Sequence, residues 1–215
     1  MKPRLNMTLV FILTISVGTL IAAPSNGERK SGEIEKATKT LEKVERILVD
    51  AMENPLQGIP ESLISKSEVI VIFPRAFQIA AGAFNGPGGR GIAMILNEDD
   101  SWSNPFFVTI REGRQGYQIG PQTSDIVLLF KDRDDFTNIN SAEIALGGDV
   151  EVAAGPVQSG SSLNTNIPFE SEIYSYHRSK GVFTGESIEG AILTYDNKPG
   201  DSLYSIETMA VDEIF

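Results

Sequence analysis

Residues 173–193, IYSYHRSKGVFTGESIEGAIL, decide the fold class of this chain. Aromatic and β-branched residues dominate the stretch, and Gly181, Gly185 and Gly190 interrupt it at short intervals. Aromatic and β-branched side chains favour strands, whereas glycine permits tight turns and close backbone contacts. The stretch therefore predicts short strands that are joined by glycine turns.

A helical pattern precedes the strands. Apolar residues recur at three- and four-residue steps from residue 33 to Met52, and Asn54-Pro55 ends the pattern. The opposite face mixes basic and acidic residues, which we interpret as a solvated outer face of a helix packed on the core. Strands follow from residue 69 onward. We therefore expect an α+β fold, with N-terminal helices packed on a largely antiparallel β-sheet or small barrel.

The first residues have the character of a targeting segment. Lys2 and Arg4 precede an uncharged apolar run, and small residues follow it. We predict a signal peptide over residues 1–25, a linker over 26–32 and a single domain over 33–215. The expected location is outside the cytoplasm, periplasmic or secreted, and in contact with a membrane. The alternative left open is that the segment is retained as an N-terminal anchor.

Charge and composition exclude several classes of function. The formal net charge is −11, which argues against a nucleic-acid partner and against bulk attraction to anionic membranes. Binding to an anion would therefore need a local basic cluster. Cysteine is absent, so the chain has no disulfide and no thiolate chemistry.

No motif in the chain indicates catalysis, and we expect no enzymatic activity, no catalytic residue, no metal and no cofactor. His177 is the only histidine and lies in strand-like sequence, with no G-x-S-x-G elbow in the chain. Residues 86–91, GPGGRG, match G-x-G-x-x-G but lead into a strand-like run, so they predict a turn rather than a dinucleotide site. Residues 132–143 carry part of a calcium-loop pattern; we favour a solvated acidic turn and leave calcium binding open.

Several segments taken in order carry a family resemblance. They are residues 173–193, LGGDVEVAAGPV at 146–157, the run from Ile59-Pro60 to Leu96, WSNPFF at 102–107 and GYQIG at 116–120. Together they resemble the SYLF domain family, which binds lipids and is also described as actin-binding in its fungal members. The resemblance covers residues 59–195.

The resemblance implies a non-catalytic lipid-binding protein of the cell envelope or exterior, which recognises anionic or phosphorylated lipid headgroups. The alternative is a structural or assembly factor of the envelope that acts through protein–protein contacts. The expected partners are a lipid or membrane surface and an envelope protein. We do not expect actin as a partner of an exported protein.

Basic residues in or beside the family-like segments are the candidate lipid-binding residues. They are Arg75, Arg90, Arg178 and Lys180. Glycines and one proline in the same segments are expected to be structural turn residues that do not contact a ligand. These are Gly86, Gly88, Gly91, Gly155, Pro156, Gly181 and Gly185.

Overall fold

A computed structural model of the chain describes residues 28–53, 58–76, 88–112, 124–137, 143–157, 167–185, 188 and 190–196. The predicted signal peptide, residues 1–25, and the predicted turn residue Gly86 lie outside these residues. All structural statements below concern the described part of the chain.

The described residues form three helices: α1 (Glu28–Glu53), α2 (Glu61–Ile64) and α3 (Asp134–Thr137). The first helix begins five residues before the predicted start at Glu33, so residues 28–32 of the predicted linker are helical. It ends directly before Asn54-Pro55, as expected, because a proline ring disfavours helical backbone at the residue that precedes it. None of these helices has both the length and the apolar character of a membrane-spanning segment.

Nine strands in the described part of the chain form one sheet, which curls into a half-barrel. They are β1 (Val69–Ala76), β2 (Gly88–Ile95), β3 (Phe106–Glu112), β4 (Ser124–Phe130), β5 (Ile144–Ala145), β6 (Val152–Ala154), β7 (Ile173–Ser179), β8 (Val182–Gly185) and β9 (Ala191–Tyr195). The strand order is β5-β9-β3-β2-β1-β4-β7-β6, and β8 also pairs with β7. The described strand pairs are antiparallel except β6–β7. The α+β class is confirmed, and the sheet is mixed, with one parallel pair in an otherwise antiparallel order. The described helices are few, and they do not form a clear N-terminal layer on the sheet.

The sheet has an apolar cluster on each face, because successive residues of a strand point to opposite sides. On β1, Ile70 and Ile72 join the cluster that contains the buried face of α1. Val69 and Val71 join the cluster on the other face, around Phe136. Burial of β1 on both faces explains why its sequence is a continuous apolar run rather than an alternating one.

Two of the predicted turn glycines lie in a strand instead. Gly88 and Gly91 belong to β2, where they pair with Arg111 and Val108 of β3. A Cβ atom built on Gly91 would lie 2.4 Å from the carbonyl oxygen of Ile72. Glycine is therefore needed at Gly91 for the close approach of β1 and not for a turn, and the prediction of turns at Gly88 and Gly91 was wrong.

A hairpin turn lies at Lys180 and Gly181. Lys180 and Gly181 have φ angles of +53° and +84° and connect Ser179 to Val182, which pair at the end of β7 and β8. Two central residues with positive φ are typical of the two-residue hairpin turn that matches the twist of the strands.

Gly155 and Gly185 are structural, but through contact rather than as turns. A Cβ atom on Gly185 would lie 1.9 Å from the carbonyl oxygen of Gly155, and one on Gly155 would lie 2.1 Å from Cζ of Tyr176. The Tyr176 hydroxyl donates a hydrogen bond to the carbonyl oxygen of Pro156, at 3.1 Å. The chain after β6 thus meets the end of β8 over the buried Tyr176 ring, which leaves no room for a side chain at either glycine.

Candidate functional site: a basic cleft

An open cleft of about 370 Å³ lies between the second half of α1 and residues of β1, β4 and β7. We call it the basic cleft, because four of its lining side chains are cationic and two are acidic. Its lining residues are Lys43, Arg46, Ile47, Asp50, Pro74, Arg75, Asp125 and Arg178.

Arg178 connects the helix to the sheet at the base of the cleft. Its Nη1 donates to Oδ2 of Asp125 on β4, at 3.0 Å, and its Nη2 donates to Oδ2 of Asp50 on α1. The guanidinium carbon also lies 5.7 Å from the centre of the Phe183 ring, within the range of a cation–π contact. The Arg178 and Asp125 side chains are only 19% and 17% exposed, whereas that of Asp50 is 39% exposed.

Arg75 reaches the cleft through an irregularity in β1. The pairing of β1 with β4 shifts register between Phe73 and Ala76, and Arg75 has a φ angle of +55°. Its backbone N–H donates to Oδ1 of Asp125, at 2.9 Å. This bond satisfies the Arg75 N–H group, which the register shift leaves without a partner in the β1–β4 pairing. The exposed Arg75 side chain lines the cleft, as Arg178 does.

Lys43 and Arg46 are the functional candidates that sequence reasoning missed. Both are exposed on α1 and line the cleft. They belong to the mixed-charge helix face that the sequence analysis interpreted as solvated. The spacing of Lys43, Arg46 and Asp50 at steps of one helical turn places them on one face, but it does not show which surface they meet.

The structure brings together only two of the four predicted basic residues. Arg75 and Arg178 both bond to Asp125. Arg90 instead pairs with Asp196 at 2.9 Å, and neither Arg90 nor Lys180 lines the cleft. Lys180 is exposed in the hairpin turn that follows Arg178.

The charges that line the cleft are suited to an anion. Both lining carboxylates are hydrogen-bonded to Arg178, so Lys43, Arg46 and Arg75 form a cationic rim with no further acid among the described lining residues. The buried Nε of Arg178 has no acceptor among the described residues, which leaves one more donor in the guanidinium group. Guanidinium and ammonium groups arranged in this way bind phosphate and carboxylate groups.

The contact between α1 and the sheet offers no comparable space for an alkyl chain. The gap there is about 10 Å³, is lined by apolar residues such as Leu48, Ile72 and Leu129, and has room for about one water molecule. This gap is too small to hold the acyl chain of a lipid.

The acidic segment and the histidine show structural contacts. Asp134–Thr137 form one helical turn, and the described residues contain no group of three or more acids or histidines arranged to hold a metal. Asn138 and Asn140 of the calcium-like pattern lie outside them. Burial, together with neighbouring carboxylates such as Glu172, raises the pKa of Asp135. His177 is buried and its Nδ1 lies 3.3 Å from Oγ of Ser124, so this contact joins β4 and β7.

Comparison with protein families gives one match over residues 111–215. The matching family is Ysc84, described as "Las17-binding protein actin regulator". The match covers β4, β7 and the Arg178–Asp125 pair of the basic cleft, and it leaves α1 and β1 outside.

Curated relatives extend the similarity toward the N-terminus. The human SH3 domain-containing YSC84-like protein 1 is 29% identical over 198 residues, which are 89% of this chain and 54% of that protein. An SH3 domain-containing protein of Schizosaccharomyces pombe is 31% identical over 156 residues, 68% of this chain and 34% of its own length. The LAS seventeen-binding protein 3 of Saccharomyces cerevisiae is 26% identical over 140 residues, 64% of this chain and 30% of its own. The chain thus spans about half the length of the vertebrate relatives, and less of the fungal ones.

The prediction of an exported, periplasmic or secreted protein is wrong. The relatives are SH3 domain-containing or Las17-binding proteins of eukaryotes, and the family is described as an actin regulator. These similarities point away from export. The predicted envelope partner and the exclusion of actin both depended on export, so each loses the reason that was given for it.

The resemblance drawn from the sequence is confirmed by both comparisons, which agree on one binding or regulatory family. By sequence, this chain is therefore similar to the Ysc84 (SYLF) family, over residues 111–215 in the family match and over 89% of the chain in the human relative.

Proposed function

We propose that this chain is a non-catalytic binding domain that recognises anionic or phosphorylated lipid headgroups in the basic cleft. The observation that carries the proposal is the convergence of Lys43, Arg46, Arg75 and Arg178 on one cleft of a chain whose net charge is −11. On a protein of this overall charge, a bilayer of the same sign is repelled except where cations cluster locally.

The cleft refines the set of lipid-binding residues. Arg75 and Arg178 remain from the predicted set, and Lys43 and Arg46 of α1 join them. Arg90 is engaged by Asp196. Lys180 is exposed, but it stands outside the lining and would contribute at most a peripheral charge.

Co-sedimentation of the full chain with vesicles tests the proposal. The vesicles are phosphatidylcholine alone, or phosphatidylcholine mixed with phosphatidic acid or phosphatidylserine, at several salt concentrations. The cleft variant is Arg46→Gln with Arg75→Gln. The matched control is Arg111→Gln with Arg133→Gln, which removes the same charge from residues outside the cleft lining.

We expect the parent to bind the anionic vesicles and to be released by salt. Each basic residue near an anionic surface contributes about 1 kcal/mol, so the cleft variant should bind about 25-fold more weakly. The affinity of the control variant for anionic vesicles should decrease much less, because charges away from the contact are screened by salt. Equal losses in the two variants, or no binding by the parent, would contradict the proposal.

The second candidate is a protein-binding domain, which the names of the relatives favour. The family description and the yeast relative's name both refer to binding of Las17. A headgroup contact should weaken steeply with ionic strength, whereas an apolar protein contact should not. Salt-resistant binding to a protein partner, with no binding to any vesicle, would favour this second candidate.

A further inference from the structure

We propose that Asp50 is a displaceable carboxylate that occupies the anion site of the basic cleft, and that a phosphate monoester takes its place on Arg178. The inference rests on the proposed function and adds how that site is regulated and which residue limits its affinity. It concerns a residue of α1 that lies 128 positions from Arg178 in the sequence.

The two carboxylates on Arg178 differ in how firmly they are held. Asp125 is 17% exposed and is bound twice, by Nη1 of Arg178 and by the backbone N–H of Arg75. Asp50 is 39% exposed, and among the described residues its carboxylate has one bond, to Nη2 of Arg178. Asp125 is therefore the fixed partner, and Asp50 is the one that an incoming anion can replace.

The position of Asp50 on α1 also makes it easy to displace. It lies in the last turn of a helix that ends at Glu53. The exposed carbonyl groups of that turn carry partial negative charge, so an acidic side chain there is disfavoured and a cationic one is favoured. The bond to Arg178 offsets this repulsion, and exchange for another anion on Arg178 leaves Asp50 free to turn to solvent.

Phosphate suits the vacated position better than a second carboxylate. Nη2 and Nε of Arg178 form one edge of the guanidinium plane, and Nε has no acceptor among the described residues. A phosphate oxygen pair can accept from both nitrogens of such an edge. A doubly charged monoester would also be attracted by the cationic rim of Lys43, Arg46 and Arg75. The single negative charge of Asp50 balances only part of the positive charge of that rim.

The test compares the full chain with Asp50→Asn and with Glu35→Gln. Glu35 lies on the same helix, is 66% exposed and pairs with Lys39 outside the cleft, so its variant removes the same charge elsewhere. Binding is measured to phosphatidylcholine vesicles that contain phosphatidic acid, and separately to inorganic phosphate. The first probe reports a lipid phosphate monoester, and the second reports a free one.

Asp50→Asn should bind phosphatidic acid vesicles about fivefold more tightly than the parent, the effect of one elementary charge at an anionic surface. Glu35→Gln should bind like the parent. In the parent, phosphate should shift the NMR resonance of the Arg178 Nε–H group. An unchanged or weaker affinity in Asp50→Asn, or an equal gain in Glu35→Gln, overturns the inference.

The two probes separate this inference from the proposed function. If parent and Asp50→Asn bind the vesicles equally, lipid binding stands and displacement of Asp50 is wrong. If no vesicle is bound but Asp50→Asn binds inorganic phosphate more tightly than the parent, displacement stands and the membrane function is wrong. If none of the proteins binds either probe, both are wrong.

Discussion

Replacing Gly155 with alanine should destabilise the protein strongly, although it adds only a methyl group. The new Cβ would lie 2.1, 2.4 and 2.5 Å from three atoms of the Tyr176 ring. Ordinary contacts of a Cβ begin near 3.4 Å, so the ring or the backbone must move by about 1.3 Å. Tyr176 is fully buried, and its hydroxyl bonds to Pro156, the residue after Gly155. Movement of the ring therefore strains the core and weakens or breaks the hydrogen bond from Tyr176 to Pro156.

The magnitude follows from these two effects. Overpacking a well-packed core costs about 1–3 kcal/mol, and a lost hydrogen bond adds about 1 kcal/mol. We expect a decrease of about 3 kcal/mol in the free energy of unfolding, or about 6–12 °C in the melting temperature of a domain of this size. Urea unfolding followed through the fluorescence of Trp102, the only tryptophan, measures it.

Gly32→Ala is the matched control, because the same substitution in α1 meets no atom within 4 Å. Alanine has a helix propensity that is more favourable than that of glycine by about 1 kcal/mol, so this variant should be more stable than the parent. A second control repeats Gly155→Ala in a Tyr176→Leu background, where the clash with the ring is absent. An unchanged urea midpoint in Gly155→Ala, or the same loss in both backgrounds, would refute the role of the ring.

Two further predictions concern stability. Gly181→Val should lower it by about 1–3 kcal/mol, since a β-branched residue must adopt the φ of +84° that the turn requires; an unaltered thermal midpoint would contradict this. Asp135→Asn should raise the stability at neutral pH, because the folded protein raises the pKa of this carboxyl and thus disfavours its ionised form. This gain in stability should shrink as the pH falls through the pKa of Asp135 in the folded state, and it should vanish below the pKa in the unfolded state, where both states are protonated. Urea midpoints of parent and variant at pH 7 and pH 3 measure the gain. An equal gain at the two pH values would refute the prediction.

Local patterns in the sequence were sufficient for several elements. The apolar spacing that includes Ala37, Leu41 and Val44 predicts α1, and all three side chains are fully buried. Gly181 indicates the β7–β8 turn, because glycine readily adopts the positive φ that this position requires. Such features depend on neighbours a few residues apart, so the chain specifies them before any tertiary contact forms. The ordered blocks likewise indicated the family, which the comparisons confirm.

The basic cleft could be predicted only in part. Arg75 and Arg178 were chosen for their positions beside family-like segments, but nothing local ties them to Lys43 or Arg46. The charges of α1 are balanced over the whole helix, and only the packing of the helix on the sheet selects which of them face the cleft. Export was mispredicted from residues 1–25, which are outside the described residues, and the similarity to SH3 domain-containing and Las17-binding relatives corrected it.

By itself the sequence determined the period of the helix, the strand-rich second part, the hairpin turn and the family, all of which depend on short-range pattern. Only the tertiary structure decided that Asp50 and Arg178, 128 positions apart, share a hydrogen bond. It also decided that Gly91, Gly155 and Gly185 serve close contact rather than turns. The physical reason is that strand order and register bring distant residues together, and these depend on the packing of both sheet faces at once.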